Sequence, residues 1–271
     1  MKMQKIKIQG TVHILPNLFT TANLAMGIYA ITLVLKEDCN YGAAGLAIFF
    51  AMLLDVFDGL IARVTKTTSR FGMELDSLAD MVSFGVAPAI MVYNKALSMF
   101  DSVHYKQVGR IGFFICVVYA GCAALRLARF NSQIEDESKS FSGIPTPAAA
   151  GVIISYFMML EKGIVPDFMS QFTTQWILPI VTFCLGILMV SNIRFPAPAK
   201  KILWKQHPFI YLALFAGLLV LVITNTGLTL FIIFITYVLY GLVTHLRSRL
   251  LKQTTPALQP TIGEQADDTE E

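Results

Sequence analysis

Apolar residues in this chain come in long unbroken runs and not in alternation. Residues 14–35, 39–54, 111–125, 141–160 and 168–193 carry no charged side chain, and 208–244 is a stretch of 37 uncharged positions. As one helix at roughly 1.5 Å per residue that stretch would be about 55 Å long, whereas a hydrocarbon core is about 30 Å thick. It therefore folds back, and Asn225-Thr226-Gly227 is the obvious turn. Continuous runs argue for membrane helices and against a barrel, whose strands alternate. The pattern predicts eight spans, near 15–35, 43–63, 73–94, 109–130, 146–161, 176–193, 208–223 and 228–246. Pro16, Pro145 and Pro147 sit near predicted starts, where a missing N–H costs little. The first run is too long for the apolar part of a signal peptide and lacks a small-residue cleavage site. The expected fold is an all-α polytopic membrane protein.

Composition sharpens this. Of 271 residues 55% are hydrophobic and only 14% charged, against about 25% charged in soluble domains. That excludes a soluble globular protein and, with so much apolar side chain, a disordered one. A net charge of +3 with dispersed cations excludes a nucleic-acid reader. Cys39, Cys116, Cys122 and Cys184 form no CxxC and read as small packing residues. With eight spans, five of the 21 basic residues (Lys36, Lys95, Lys106, Arg110 and Lys162) fall on one side and sixteen on the other. The positive-inside rule then places both termini in the cytoplasm, and the chain in the cytoplasmic membrane. Residues 1–13 read as a juxtamembrane segment lying along the membrane surface. Residues 251–271, with Pro256, Pro260 and five carboxylates, read as a disordered acidic tail. Between them stand a six-helix core over 14–200 and two further helices over 201–250.

Charge is scarce, yet four carboxylates gather within LLDVFDGLIARVTKTTSRFGMELDSLAD. Asp55 and Asp58 are three apart, Asp76 and Asp80 four apart, so each pair shares a helix face. The connection between the two helices is short and basic, which makes them antiparallel neighbours with their aspartates at the cytoplasmic boundary. A carboxylate at membrane depth costs about 2.5 kcal/mol or more, and four together repel. A proton relay, an ion-paired network or a cation-coupled or proton-coupled transporter would use such a cluster. So would two divalent cations, which neutralise all four; hard oxygen ligands suit Mg²⁺ or Mn²⁺, and two such ions clamp phosphoryl chemistry. The transporter reading lacks the internal repeat and paired broken helices often seen in that class. Gly59, Ala62 and Gly72 leave the backbone open beside the aspartates, for helix packing or for a flat base and a diphosphate. Arg63 offers a fork to phosphate.

The residues Asp55-x-x-Asp58-Gly59-x-x-Ala62-Arg63, eight residues, Gly72-x-x-x-Asp76-x-x-x-Asp80 resemble the signature of the CDP-alcohol phosphotransferases at every fixed position and spacing. The resemblance implies transfer of a phospho-group from a CDP-activated donor to an alcohol, with release of CMP. It implies two metals held by Asp55, Asp58 and Asp76, with Asp80 helping to hold the second and acting as base on the alcohol. Gly59, Ala62, Arg63 and Gly72 would lie against CDP, with Asn17 and Thr20 of the first span near the nucleotide. It also implies a homodimer, and Gly109, Gly112 and Gly121 would permit close packing.

The acceptor is read from neighbouring stretches: PNLFTTAN at 16–23, MVSFGVAPA at 81–89, RLARFN at 126–131 and FSGIPTPAAA at 141–150. They are similar to the serine-accepting bacterial branch of the family. The glycerol-phosphate-accepting branch would show an arginine near Asn23. CDP-diacylglycerol and L-serine are thus the expected substrates. Arg126 and Arg129, three apart on one helix face, would receive the serine carboxylate, with Asn131 and Ser83 shaping the pocket. Two arginines would equally suit a glycerol 3-phosphate or inositol phosphate acceptor, or anchor lipid headgroups.

Overall fold

The structure is a computed structural model and describes residues 2–65, 69–97, 106–133, 143–193, 195 and 224–254. Every regular element among them is helical. Helix α1 spans Lys2–Leu35 and α2 Tyr41–Thr65. Helix α3 (Arg70–Asp80) runs on through a π-helical stretch (Met81–Val86) into α4 (Ala87–Val92) and a second π turn (Tyr93–Leu97). Helix α5 spans Lys106–Gln133 and α6 Thr146–Glu161. Helix α7 (Asp167–Phe172) continues by a π turn (Thr173–Ile177) into α8 (Leu178–Val190), and α9 spans Thr226–Thr254.

Six of these stretches are long and apolar enough to cross a bilayer: Asn17–Leu35, Tyr41–Ala62, Arg70–Lys95, Ile111–Ser132, Asp167–Val190 and Thr226–Arg247. The chain is thus a multi-pass helical membrane protein. The count of eight is not reached among the described residues. The expected span 208–223 lies outside them, as do residues 255–271 of the expected acidic tail and the basic loop from Lys200 to Lys205; residues 251–254, expected as the start of the disordered tail, instead continue α9 as helix. The expected fifth span is a helix at its predicted bounds, but its 16 residues fall short of a full crossing. It is the buried strut of the bundle: α2 packs on one side and α9 on the other, and Ala148 to Ile154 are buried throughout. The sixth starts at Asp167 and not at 176. Polar residues Thr173 and Thr174 hide its first turns from a hydropathy reading, and the Tyr156 hydroxyl hydrogen-bonds both of them at 2.7 and 2.6 Å. Residues 2–13, expected as a separate surface segment, are continuous with the first span in α1, which runs through Pro16; that proline was expected near a helix start and lies in the helix interior.

One buried stripe organises the site end. Along α1 it runs Thr20, Asn23, Gly27, Ala30 and Val34, at helical spacing. The facing stripe of α2 runs Tyr41, Ala44, Ile48 and Ala51, then Asp55 and Asp58. Small apolar residues let these antiparallel helices approach along most of their length; the polar positions meet only at one end. Gly27 is required there: a Cβ would stand 2.4 Å from the Ser83 Oγ and 2.8 Å from its Cα.

The π stretch after Asp80 has an identifiable cause. Pro88 has no N–H to give the Phe84 carbonyl four residues earlier. The fully buried Tyr119 of α5 donates its hydroxyl to that oxygen at 3.1 Å, which satisfies it inside the membrane. Gly143, at φ 88°, brings the chain into α6 against the end of α8, where a Cβ would collide with the Met189 carbonyl. Its N–H donates to the Ile193 carbonyl at 2.9 Å, and Pro145 then precedes the first turn of α6. The four cysteines are all free thiols.

Candidate active site

Helices α2 and α3 bring the four aspartates together. Carboxylate oxygens of Asp55, Asp76 and Asp80 all lie within 4.8 Å of one another. Asp58 stands beside them, and its charge acts on Asp76 and Asp80. Asp58 and Asp80 are buried, Asp55 and Asp76 half-buried. Ser69 starts α3 as its N-cap, accepting the Gly72 N–H at 3.0 Å. Helix α3 then packs on α1.

Two of the carboxylates are oriented by α1. Thr20 donates its hydroxyl to Asp58 Oδ2 at 2.9 Å, and Asn23 donates Nδ2 to Asp80 Oδ1 at 3.1 Å. Asp76 Oδ1 is buried with no hydrogen-bond partner. An unpartnered buried oxygen costs roughly 1–3 kcal/mol, more when charged. Three convergent carboxylates, one with an orphaned oxygen, form the donor set a hard divalent cation takes. The residues present therefore fit Mg²⁺ or Mn²⁺.

The glycines of the motif differ. A Cβ on Gly59 would meet nothing within 4 Å, so the face beside Asp58 is open. One on Gly72 would lie 3.1 Å from Ser69 Oγ and 3.4 Å from Asn17 Oδ1, so this glycine also serves packing of α1 on α3. Ala62 is half-buried on α2. The backbone of Arg63 lies in the same helix, and its side chain lies outside the described residues.

The structure separates the residues expected around the acceptor. Arg126 on α5 gives Nη1 to the buried Thr146 hydroxyl at 3.3 Å, while its Nε is buried without a partner. Asp80 lies within electrostatic range of that guanidinium, as does Tyr237 of α9. Arg129, one turn on, gives Nη1 to the Val190 carbonyl at 3.2 Å and to Asn192 Oδ1 at 3.4 Å. It caps the C-terminus of α8, where a cation complements unpaired carbonyls. The Asn131 amide bridges Glu74 Oε2 at 3.1 Å and Ser77 Oγ at 3.0 Å, tying α5 to α3. Ser83, fully buried, donates to the Asn23 carbonyl at 3.0 Å. Asn23, expected only as a position that distinguishes the acceptor branches, is found hydrogen-bonded to Asp80 from the buried stripe of α1.

A helical membrane bundle that gathers carboxylates from two helices at one end, beside an open backbone face, is the arrangement expected of the CDP-alcohol phosphotransferases. A sequence model of the CDP-alcohol phosphatidyltransferases matches residues 13–188, and the chain belongs to this family. Among its relatives, the CDP-diacylglycerol–serine O-phosphatidyltransferase of Helicobacter pylori is 36% identical over 232 residues, which cover 85% of this chain and 90% of that one. The enzyme of the same name from Methanocaldococcus jannaschii is 32% identical over 200 residues, 74% of this chain and 83% of its own. That from Bacillus subtilis is 35% identical over 183 residues, 67% and 89% respectively.

Proposed function

We propose that this protein transfers the phosphatidyl group of CDP-diacylglycerol to the hydroxyl of L-serine, giving phosphatidylserine and CMP. The observation that carries the choice of acceptor is the likeness to relatives named as serine O-phosphatidyltransferases, and Arg126, a guanidinium with a buried unpaired donor, offers a carboxylate its partner. In this reading the carboxylate of serine lies on Arg126 and its hydroxyl is directed towards Asp80.

Asp55, Asp58, Asp76 and Asp80 would hold two divalent ions. When bound, these supply charge neutralisation to the diphosphate and to its leaving group. The chain's own groups do the rest. Thr20 and Asn23 hold two of the carboxylates at fixed angles. The open face at Gly59 receives the nucleotide, with Ala62, Arg63, Gly72 and Asn17 along its border. Asp80 takes the proton of the serine hydroxyl. That oxygen bonds to the phosphorus bearing diacylglycerol, the bridging P–O bond breaks, and its electron pair leaves with CMP. The acyl chains stay in the bilayer throughout.

The site opens to the cytoplasm in this reading, with both termini on that side of the cytoplasmic membrane and two copies forming a homodimer. The core over 14–200 carries the chemistry, and α9 packs against it on α6. The test is an acceptor panel. Purified protein with CDP-diacylglycerol and Mn²⁺ should release CMP with serine; release with glycerol 3-phosphate but not with serine would overturn the choice of acceptor. Cation flux into proteoliposomes without any CDP-lipid would favour a transporter instead.

A further inference from the structure

Asn23 is not part of the aspartate motif, yet it hydrogen-bonds one of its carboxylates. Its side chain is fully buried. Nδ2 donates to Asp80 Oδ1 at 3.1 Å, and Oδ1 has no partner at all. Its backbone carbonyl accepts the Ser83 hydroxyl at 3.0 Å, and Gly27, one turn further along α1, lets the Ser83 backbone come that close. These contacts run in series. Gly27 admits the helix carrying Ser83; Ser83 pins the α1 backbone at Asn23; Asn23 fixes the carboxylate of Asp80. The π-helical stretch that presents Ser83 begins one residue after Asp80, so mount and carboxylate belong to one rigid ribbon.

The orphaned Oδ1 shows that the amide is not there for packing. A leucine would fill the same volume without burying an unsatisfied carbonyl. What leucine lacks is the donor facing Asp80. The orientation of the amide follows from the same contact, since a carboxylate accepts only from the nitrogen.

We infer that Asn23 is the positioning residue of Asp80, and that Ser83 with Gly27 forms the mount that holds Asn23 in place. This rests on the reading of Asp80 as metal ligand and base, and it is independent of which alcohol is accepted. The hydrogen bond leaves Asp80 one carboxylate oxygen free of Asn23 and fixes the plane in which that oxygen lies. Groups that orient metal-ligating side chains typically alter metal affinity or activity 10–100-fold when lost.

The experiment uses full-length protein in detergent, in the wild-type and Asp80→Asn backgrounds. The substitutions are Asn23→Ala, Asn23→Leu and Ser83→Ala. Turnover is measured with whichever alcohol the wild type accepts, and Mn²⁺ affinity by electron paramagnetic resonance. In the wild-type background both Asn23 variants should lose about 10–100-fold in kcat or in Mn²⁺ affinity, with KM for the alcohol within about twofold. Ser83→Ala should give a smaller loss of the same kind. In the Asp80→Asn background Asn23→Ala should leave Mn²⁺ affinity unchanged, because coupled residues are not additive. Wild-type kcat and Mn²⁺ affinity in Asn23→Leu would overturn the inference. So would a raised KM at constant kcat, or equal losses of Mn²⁺ affinity in both backgrounds. If the wild type releases no CMP with any alcohol, the functional reading fails, and the Mn²⁺ cycle still decides the inference.

Discussion

Replacing Arg126 or Arg129 by alanine should have sharply different effects, although the two lie one turn apart on α5. Arg126 spends one donor on Thr146 at 3.3 Å and keeps a buried Nε unpaired. Arg129 is occupied by the Val190 carbonyl and Asn192. Hydrogen bonds to charged groups contribute about 1.5–3 kcal/mol, which corresponds to a factor of roughly 10–150 in affinity. Arg126→Ala should therefore raise the serine KM by about that factor and leave the KM for CDP-diacylglycerol nearly constant. Arg126→Lys should recover little, because an ammonium cannot reproduce the planar fork. Arg129→Ala removes a helix C-terminal cation, a loss of about 0.3–1 kcal/mol. It should lower Tm slightly and leave the serine KM alone. The assay is CMP release from mixed micelles with serine and lipid titrated separately. Equal increases in both KM values for Arg126→Ala would refute carboxylate recognition, and so would a serine KM as high in Arg129→Ala as in Arg126→Ala.

Three further outcomes follow from the geometry. Asp80→Asn should abolish turnover while the folded protein still binds Mn²⁺, more weakly; wild-type activity would remove Asp80 as the base. Gly59→Ala places a methyl where nothing stands within 4 Å, so it should keep or raise Tm by the helix preference for alanine, about 1 kcal/mol, and raise the KM for CDP-diacylglycerol. An unchanged KM would show that the nucleotide does not approach this face. Tyr119→Phe leaves the Phe84 carbonyl without its donor and should destabilise by about 1–3 kcal/mol. A thermal melt in detergent that matches wild type would mean another donor has replaced it.

The aspartate site was legible in the sequence because its logic is local. Spacings of three and four put Asp55 with Asp58 and Asp76 with Asp80 on single faces; the two helices were expected to pack as neighbours, whereas α2 and α3 each pack chiefly on α1, which brings their carboxylates together. What escaped depended on partners far along the chain. Thr20 was expected at the nucleotide, and its hydroxyl is found on Asp58, 38 residues away. Arg129 and Asn131 were expected at the acceptor, yet they hold the end of α8 and the face of α3 across 54 to 63 residues. No periodicity encodes such pairs. The early start of α7 was hidden for another reason. Hydropathy registers Thr173 and Thr174 as polar and has no means of counting the Tyr156 hydroxyl that satisfies them.

The groups that steady Asp58 and Asp80 both come from α1, and this has a bearing on how the protein is made. Chains emerge from the ribosome N-terminus first, so α1 is synthesised before either helix that carries a carboxylate. Thr20 and Asn23 are then waiting when Asp58 and Asp80 arrive. A chain rearranged so that α1 is made last would present its aspartates before either of these partners exists.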